Sequence, residues 1–244
     1  MKIAIIGNSH VACLKKAWTK MEGGRRDVEV DFYASTADSI TDSYISKGVI
    51  YPKTELLRKS LMITSGGAES IRIDAYDEIV IYGVAANMHK LMRVQKAFDE
   101  GKPFSSSFKD SAIVYSNPSS NRFLRLRTEY SGRKWYLYPR PNTSIIDDAA
   151  PARDLELNEE EYRDLNARIT GSFDNMGFRY APQPMETLLS VRFTKPEYNV
   201  GAVGLSENLP EQGYRDLVQD RNGNHMNEEY GRIALQDIFR RVVQ

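Results

Sequence analysis

The feature that most constrains this fold is a repeated alternation of short apolar segments with segments of helical period. The first apolar segment, Lys2–Ile6, precedes an amphipathic segment, Val11–Met21, whose apolar residues recur at every third or fourth position. Further segments typical of buried strands follow at Val28–Tyr33, Glu78–Tyr82, Trp135–Tyr138 and Phe178–Ala181. Helical patterns also cover Met88–Phe98, a stretch within Phe104–Arg127, Glu159–Asn175 and Glu228–Val243.

Strands separated by helices predict a parallel sheet that is covered by helices on both faces. Right-handed crossovers favour a doubly wound order, so we expect an α/β fold, a three-layer α/β/α sandwich with a mainly parallel, flavodoxin-like sheet of about five strands. We interpret Ser39–Met62 as an excursion after the second strand and Pro139–Arg153 as a loop over one edge of the ligand site. No linker divides the chain, so we expect residues 1–244 to form a single domain.

Composition excludes several classes of function. Lys plus Arg and Asp plus Glu each total 33, so the chain lacks the basic excess that nucleic acids or anionic membranes attract. The sequence shows no secretion signal and no apolar run that could span a bilayer, which predicts a cytoplasmic protein. The one cysteine, Cys13, is expected to be a buried thiol, and we expect neither a metal nor a cofactor.

The segment Gly7-Asn8-Ser9-His10 lies at the turn between the first predicted strand and the first predicted helix. Backbone N–H groups at a helix start have no partner within the helix, and partial positive charge gathers there. Ser9 therefore has two interpretations: it is an N-cap, or it is an exposed nucleophile at the carboxyl end of a strand.

A nucleophilic serine needs an imidazole within hydrogen-bond reach. His225 lies in a polar, glycine-containing loop just before the last predicted helix, where Asp220 is a candidate to orient its ring and Asn222 is the alternative. The same loop also fits a simple turn and helix cap that carries an exposed histidine. His10 is expected to be a substrate-side or packing residue, and His89 lies near the predicted pocket.

Two glycine-containing segments are candidates to donate hydrogen bonds to an oxyanion. Ser65-Gly66-Gly67 follows an apolar stretch, and Tyr82-Gly83-Val84-Ala85-Ala86-Asn87 ends the central predicted strand. Glycine lets a backbone N–H approach a developing charge, and an Asn side chain adds a donor. Both segments also fit ordinary turns.

Together these segments resemble the SGNH (GDSL-like) hydrolase family over nearly the whole chain. Gly7-Asn8-Ser9 matches the first block with Asn in place of Asp, and Gly67, or alternatively Gly66, corresponds to the glycine of the second. The third block falls at Gly83 through Asn87, and the last falls at Asp220 to His225. The resemblance implies a nucleophile at Ser9, a base at His225 and an orienter at Asp220. It implies an oxyanion hole made by Ser9, Gly67 and Asn87.

The sequence departs from the family pattern at two places. Position 85, where the family's Asn falls by strict spacing, is alanine, and Asn87 comes two residues later. Asp220 stands five residues before His225, whereas the family spacing is Asp-x-x-His, and position 222 is Asn. A Ser-His dyad oriented by a backbone carbonyl is therefore a further possibility.

The resemblance implies a serine esterase or deacylase that cleaves a small O-acyl ester, such as an O-acetyl group on a carbohydrate, through an acyl-enzyme. The partner would be a small-molecule or glycan ester, and the sequence leaves the oligomeric state open. The alternative is a catalytically weak relative that binds a glycan or transfers an acyl group. The aromatic residues of Trp135–Tyr138 would then form a sugar-stacking surface.

Overall fold

The structure is a computed structural model of the 244-residue chain. It describes residues 1–21, 27–36, 39–84, 88, 91–92, 105, 120–144, 158–205, 214–217, 220 and 223–243. The described strands are β1 (Lys2–Gly7), β2 (Glu29–Ala34), β3 (Ser43–Ser46), β4 (Val49–Pro52), β5 (Ile71–Arg72), β6 (Glu78–Tyr82), β7 (Lys134–Tyr138), β8 (Phe178–Tyr180), β9 (Leu188–Ser190), β10 (Phe193–Thr194), β11 (Val203–Gly204) and β12 (Arg215–Asp216). The described helices are α1 (Val11–Met21), α2 (Glu55–Ser65), α3 (Ser120–Glu129), α4 (Glu159–Asp174) and α5 (Glu228–Val242).

The central sheet contains the five strands that the sequence predicts. Its spatial order is β2-β1-β6-β7-β8, and every neighbouring pair is parallel. Counted along the chain within this sheet, that order is the flavodoxin-like one. All five residues of Glu78–Tyr82 are buried, as expected for a strand that helices cover on both faces.

Helices pack on both faces of this sheet, so the predicted three-layer α/β/α sandwich is confirmed. Ile5 belongs to an apolar cluster that includes residues of α1 and α5. Its neighbour Ile6 points to the opposite face and belongs to a second cluster, which includes residues of α2, α3 and α4. Successive side chains of a strand alternate between the faces of a sheet, which is how one strand serves two cores.

The helix predicted at Val11–Met21 is observed with those bounds, and α4 and α5 each end one residue before the predicted end. The helix at Ser120–Glu129 overlaps the predicted stretch within Phe104–Arg127. Most of the predicted helix Met88–Phe98 lies outside the described residues.

The excursion predicted at Ser39–Met62 contains the β3–β4 hairpin and most of α2. β5 joins the hairpin from further along the chain and completes a separate three-stranded antiparallel sheet. β9 pairs with β10 and β11 pairs with β12 as two small antiparallel ribbons. Among the described helices, none is long and apolar enough to cross a membrane.

The carboxyl ends of the central strands meet along one edge of the sheet. Gly7 of β1 is opposite Ala34 of β2 and Tyr82 of β6, and Tyr82 is opposite Tyr138 of β7. Because β2 and β6 lie on opposite sides of β1, the strand order reverses beside the end of β1. In sheets of this kind ligands bind in the crevice at that switch point, and Ser9 is two residues beyond it.

Helices α1 and α5 cross at very short range. A Cβ atom at Gly231 would overlap the carbonyl oxygen and carbon of Cys13. Only a residue without a side chain fits there. Since α1 begins just after Ser9 and α5 begins just after His225, this crossing sets the distance between the two chain segments that carry them.

We predict that Gly231→Ala destabilises the protein by about 1–3 kcal/mol, because the added methyl group forces two packed helices apart. Gly171→Ala is the matched control, since it also lies in a helix but a Cβ there meets nothing within 4 Å. Helix propensity makes that control more stable by about 0.5–1 kcal/mol. Denaturant unfolding of both variants measures the two effects, and equal changes would contradict the packing argument.

We predict that the Cys13 thiol does not react with a disulfide reagent in the native protein. Cys13 is buried, its Sγ donates to the carbonyl oxygen of His10 at 3.2 Å, and burial raises the pKa of the thiol to about 12. The reactive thiolate is therefore scarce at about pH 8. Reaction in concentrated guanidinium should release one equivalent of product, and Cys13→Ala should release none in either state. Rapid labelling of the folded chain would show that the predicted buried thiol is accessible.

Candidate active site

Ser9, His225 and Asp220 are brought together at the carboxyl edge of the sheet. The Oγ of Ser9 is 3.0 Å from Nε2 of His225, and Nδ1 of His225 is 2.8 Å from Oδ2 of Asp220. The His225 side chain is 25% exposed and the Asp220 side chain 11% exposed. The imidazole is thus open to a substrate on one side, while the carboxylate behind it is largely shielded from water.

Ser9 lies in the turn that joins β1 to α1. The carbonyl oxygens of Asn8 and Ser9 accept the N–H groups of Val11 and Ala12, which starts the helix. Within the described part of the chain, no backbone N–H donates to the Ser9 hydroxyl, so the N-cap interaction is not observed. The backbone N–H of Ser9 also has no acceptor among those residues. Both groups lie at the start of α1, where the partial positive charge of a helix gathers.

The Asp220–His225 segment is folded so that a spacing of five residues still brings both side chains together. The carbonyl oxygen of Asp220 accepts the N–H of Gly223, which closes a tight turn. Gly223 has φ of +62°, a conformation that favours glycine. Oδ2 of Asp220 then accepts the N–H groups of Asn224 and His225 at 3.0 and 2.7 Å. The longer spacing is therefore compatible with contact; Asn222 lies outside the described residues.

Neighbouring loops hold this segment from two sides. The Ser144 N–H donates to the carbonyl oxygen of Gly223 at 2.8 Å, and Nδ2 of Asn199 donates to that of His225 at 2.9 Å. Asn227 caps α5 by accepting the N–H of Tyr230 at 3.1 Å. A side chain whose backbone is held on both sides keeps its geometry better than one on a free loop.

Of the loop predicted at Pro139–Arg153, the structure describes residues 139–144. Its Ser144 is the residue that contacts the His225 segment. The loop also takes part in a buried network of amide and hydroxyl groups. Gln183 accepts the N–H of Asn142 and donates to Thr187 and Thr194. The Thr194 hydroxyl in turn donates to the carbonyl oxygen of Asn142 at 2.6 Å. These contacts fix the loop that supports the site.

Gly67, the oxyanion donor that the resemblance implies, lies at the end of α2. Its N–H donates to the carbonyl oxygen of Met62 at 2.7 Å, and Gly66 adopts the left-handed conformation with φ of +80°. The two glycines thus end α2 by satisfying its last carbonyl groups. That N–H is therefore used within the chain. Asn87 and His89 lie outside the described residues.

Two further residues contribute to the site. Asn8 donates from Nδ2 to the carbonyl oxygen of Gly83 at 3.1 Å and accepts the N–H of His10 on Oδ1 at 3.1 Å. It thereby ties the end of β1 to the end of β6 beside Ser9. Gly83 has φ of +79°, and a Cβ there would approach Oδ1 of Asn8 to 2.7 Å. The sequence signal that could have found this role of Asn8 was its position between a glycine and the serine.

His10 is the second of these further residues. Its ring stacks on that of His225, with centroids 5.4 Å apart and planes inclined by 29°. The expectation that it is a substrate-side or packing residue rather than the base agrees with this position. In the described residues, no group of three or more His, Cys, Asp or Glu is arranged to hold a metal ion.

No protein-family model matches this sequence, and no curated protein matches it. Among solved structures, the chain is similar to a GDSL-like lipase from Bacteroides thetaiotaomicron, with 10% identity, a TM-score of 0.42 and coverage of 99% of this chain and 87% of the other. It is similar to an extracellular lipase from Streptomyces rimosus, with 12% identity, a TM-score of 0.42 and coverage of 98% and 99%. It is also similar to the periplasmic domain of a Salmonella lipopolysaccharide acetyltransferase, with 11% identity, a TM-score of 0.42 and coverage of 100% and 84%. Several similar structures are thus GDSL-like lipases or related acyl-group enzymes, but at these TM-scores the alignments transfer no activity to this chain.

Proposed function

We propose that this protein is an SGNH-type serine hydrolase that cleaves a small O-acyl ester through an acyl-enzyme. The observation that carries the proposal is the chain of two hydrogen bonds from the Ser9 hydroxyl through the His225 ring to the Asp220 carboxylate. A hydroxyl, an imidazole and a carboxylate in this order are the arrangement that activates a serine.

The carboxylate selects the useful tautomer of His225. With Nδ1–H donating to Asp220 at 2.8 Å, Nε2 carries the lone pair and accepts the Ser9 proton at 3.0 Å. As Oγ bonds to the acyl carbon, the carbonyl π electrons move to oxygen and the proton passes to Nε2. Asp220 then stabilises the imidazolium that forms.

The tetrahedral oxyanion needs hydrogen-bond donors in a fixed position. The Ser9 N–H at the start of α1 is the donor among the described residues, and we retain Asn87 as a proposed second one. The oxyanion collapses as the alcohol leaves with the proton from Nε2, which yields an acyl-Ser9 ester. Water, deprotonated by His225, attacks that ester and releases the carboxylic acid and free Ser9.

For the substrate we propose an O-acetyl group on a carbohydrate. The support is the resemblance to the SGNH family, in which many relatives act on such esters. A stacking surface at Trp135–Tyr138 does not contribute, because those side chains are at most 2% exposed. Sugar contacts would have to come from residues at the carboxyl edge of the sheet.

A second candidate function is a catalytically weak protein that binds a glycan or transfers an acyl group. One observation favours it: the N–H of Gly67, which the resemblance assigns to the oxyanion hole, is used by the end of α2. Loss of one such donor lowers kcat about 100- to 1000-fold in a serine hydrolase. Transfer to an acceptor alcohol in place of water would use the same acyl-Ser9 intermediate.

We predict that the wild-type protein hydrolyses p-nitrophenyl acetate and that Ser9→Ala and His225→Ala each lose about 1000-fold or more in kcat. Ser46→Ala, an exposed serine on β3, is the matched control and should retain full activity. A fluorophosphonate should label the wild type at Ser9 and leave Ser9→Ala unlabelled. Equal turnover by all four proteins would sink the hydrolase proposal, whereas glycan binding without labelling would support the second candidate.

We predict that Asp220→Asn lowers kcat about 10- to 1000-fold while the fold is retained. Because Oδ2 of Asp220 accepts the N–H groups of Asn224 and His225 as well as the imidazole, the amide oxygen of the variant would take its place. The variant then lacks the negative charge that stabilises the imidazolium on His225. Asp164→Asn, at an exposed position of α4, is the control and should leave turnover unchanged. Undiminished activity of Asp220→Asn would instead favour the Ser-His dyad.

A further inference from the structure

His10 occupies a position that the reaction outlined above does not explain. It directly follows Ser9, it is only 6% exposed, and its ring lies face to face with the ring of His225 at a centroid distance of 5.4 Å. Its backbone is held on both sides: the N–H donates to Oδ1 of Asn8, and the carbonyl oxygen accepts the Sγ of Cys13. The His10 ring therefore has a fixed position beside the ring of His225.

This ring stays neutral. Burial, together with the nearby charges of His225 and Arg140, lowers the pKa of His10 from 6.5 to about 3, while the charge of Asp220 opposes this shift. A protonated His10 would repel the imidazolium that forms on His225 during the reaction. A neutral ring instead presents its π face, which attracts a cation at this range.

The ring also carries an unpaired polar atom. Among the described residues, the buried Nδ1 of His10 has no hydrogen-bond partner. Such an atom costs stability, so packing alone would favour a fully apolar side chain here. The imidazole is retained one residue from Ser9, which connects it with the site rather than with the core.

We propose that His10 is a positioning residue: its stacked ring holds the His225 imidazole between Ser9 and Asp220 and stabilises the cation formed there. This role rests on the proposed hydrolase function. When His225 takes the Ser9 proton, its imidazole must keep both hydrogen bonds in line. The His10 ring limits rotation of that imidazole about the side-chain torsions of His225. Asp220 fixes one edge of the imidazole and His10 covers one face.

The test compares His10→Phe, which keeps an aromatic face, with His10→Ala, which removes it. We expect His10→Ala to lower kcat for p-nitrophenyl acetate about tenfold or more with KM nearly unchanged. We expect His10→Phe to retain kcat within about threefold, because the stack and the attraction for a cation persist. If His10→Phe loses as much as His10→Ala, the ring nitrogens matter rather than the stack, and the proposal is wrong.

A double variant tests whether His10 acts through His225. Since Asp220→Asn and His10→Ala both disturb the same imidazole, their combined loss in kcat should be smaller than the product of the single losses. Fully multiplicative losses would mean that His10 acts independently of His225 and would overturn the proposal.

Two measurements need no turnover, so they separate failure of this proposal from failure of the hydrolase assignment. The proton on Nδ1 of His225 should give a downfield NMR resonance in the wild type and in His10→Phe, and a broadened one in His10→Ala. Identical resonances in all three proteins would overturn the stacking role. Unfolding between about pH 3 and pH 6.5 checks the neutral ring, because only the unfolded wild type takes up that proton. Wild-type stability should therefore fall more steeply with acid than that of His10→Phe, and parallel curves would contradict it.

Discussion

The close crossing of α1 and α5 at Gly231 is the constraint on which the site depends. Ser9 and His225 are more than two hundred positions apart, yet each lies just before one of these helices. Because the backbone of Cys13 occupies the space that a side chain at position 231 would need, the two helix starts are set beside each other. The parallel sheet is the second constraint, because β1 and β6 end at the same edge of it, where Asn8 joins them. A hydrogen bond of 3.0 Å between Oγ and Nε2 is the result.

The side chains at this edge of the sheet differ in their exposure to solvent. Asp220 is largely shielded and satisfied by two backbone N–H groups as well as by the imidazole, so its charge is kept where it can orient the ring. His225 is partly open to solvent, and Ser9 lies at the positive end of a helix. The supporting loops hold the backbone on both sides of His225, which fixes the position of its ring. His10 adds a neutral face to this arrangement.

Much of the framework is predictable from local pattern. The five apolar segments are long and regular enough that each becomes a strand of the central sheet, within one residue of its predicted ends. Ser9, His225 and Asp220 were identifiable because their order along the chain, at a strand end and before the last helix, resembles the SGNH blocks. The role of Gly66-Gly67 was ambiguous because a glycine pair has the same local signature at a helix end as in an oxyanion hole. The aromatic run Trp135–Tyr138 was ambiguous in the same way, and helices on both faces bury it.

The sequence by itself determined the α/β class, the order of the main strands along the chain and the residue types available at the site. Each of these depends on short-range periodicity and on where strands end. Only the tertiary structure decided which of these residues meet. The turn at Gly223 brings Asp220 to His225 despite their long spacing, and the stack of His10 on His225 joins residues from opposite ends of the chain. The contact between Ser9 and His225 and the stack of His10 depend on helix crossing distance and strand register. These are properties of packed surfaces, and no window of local sequence contains them.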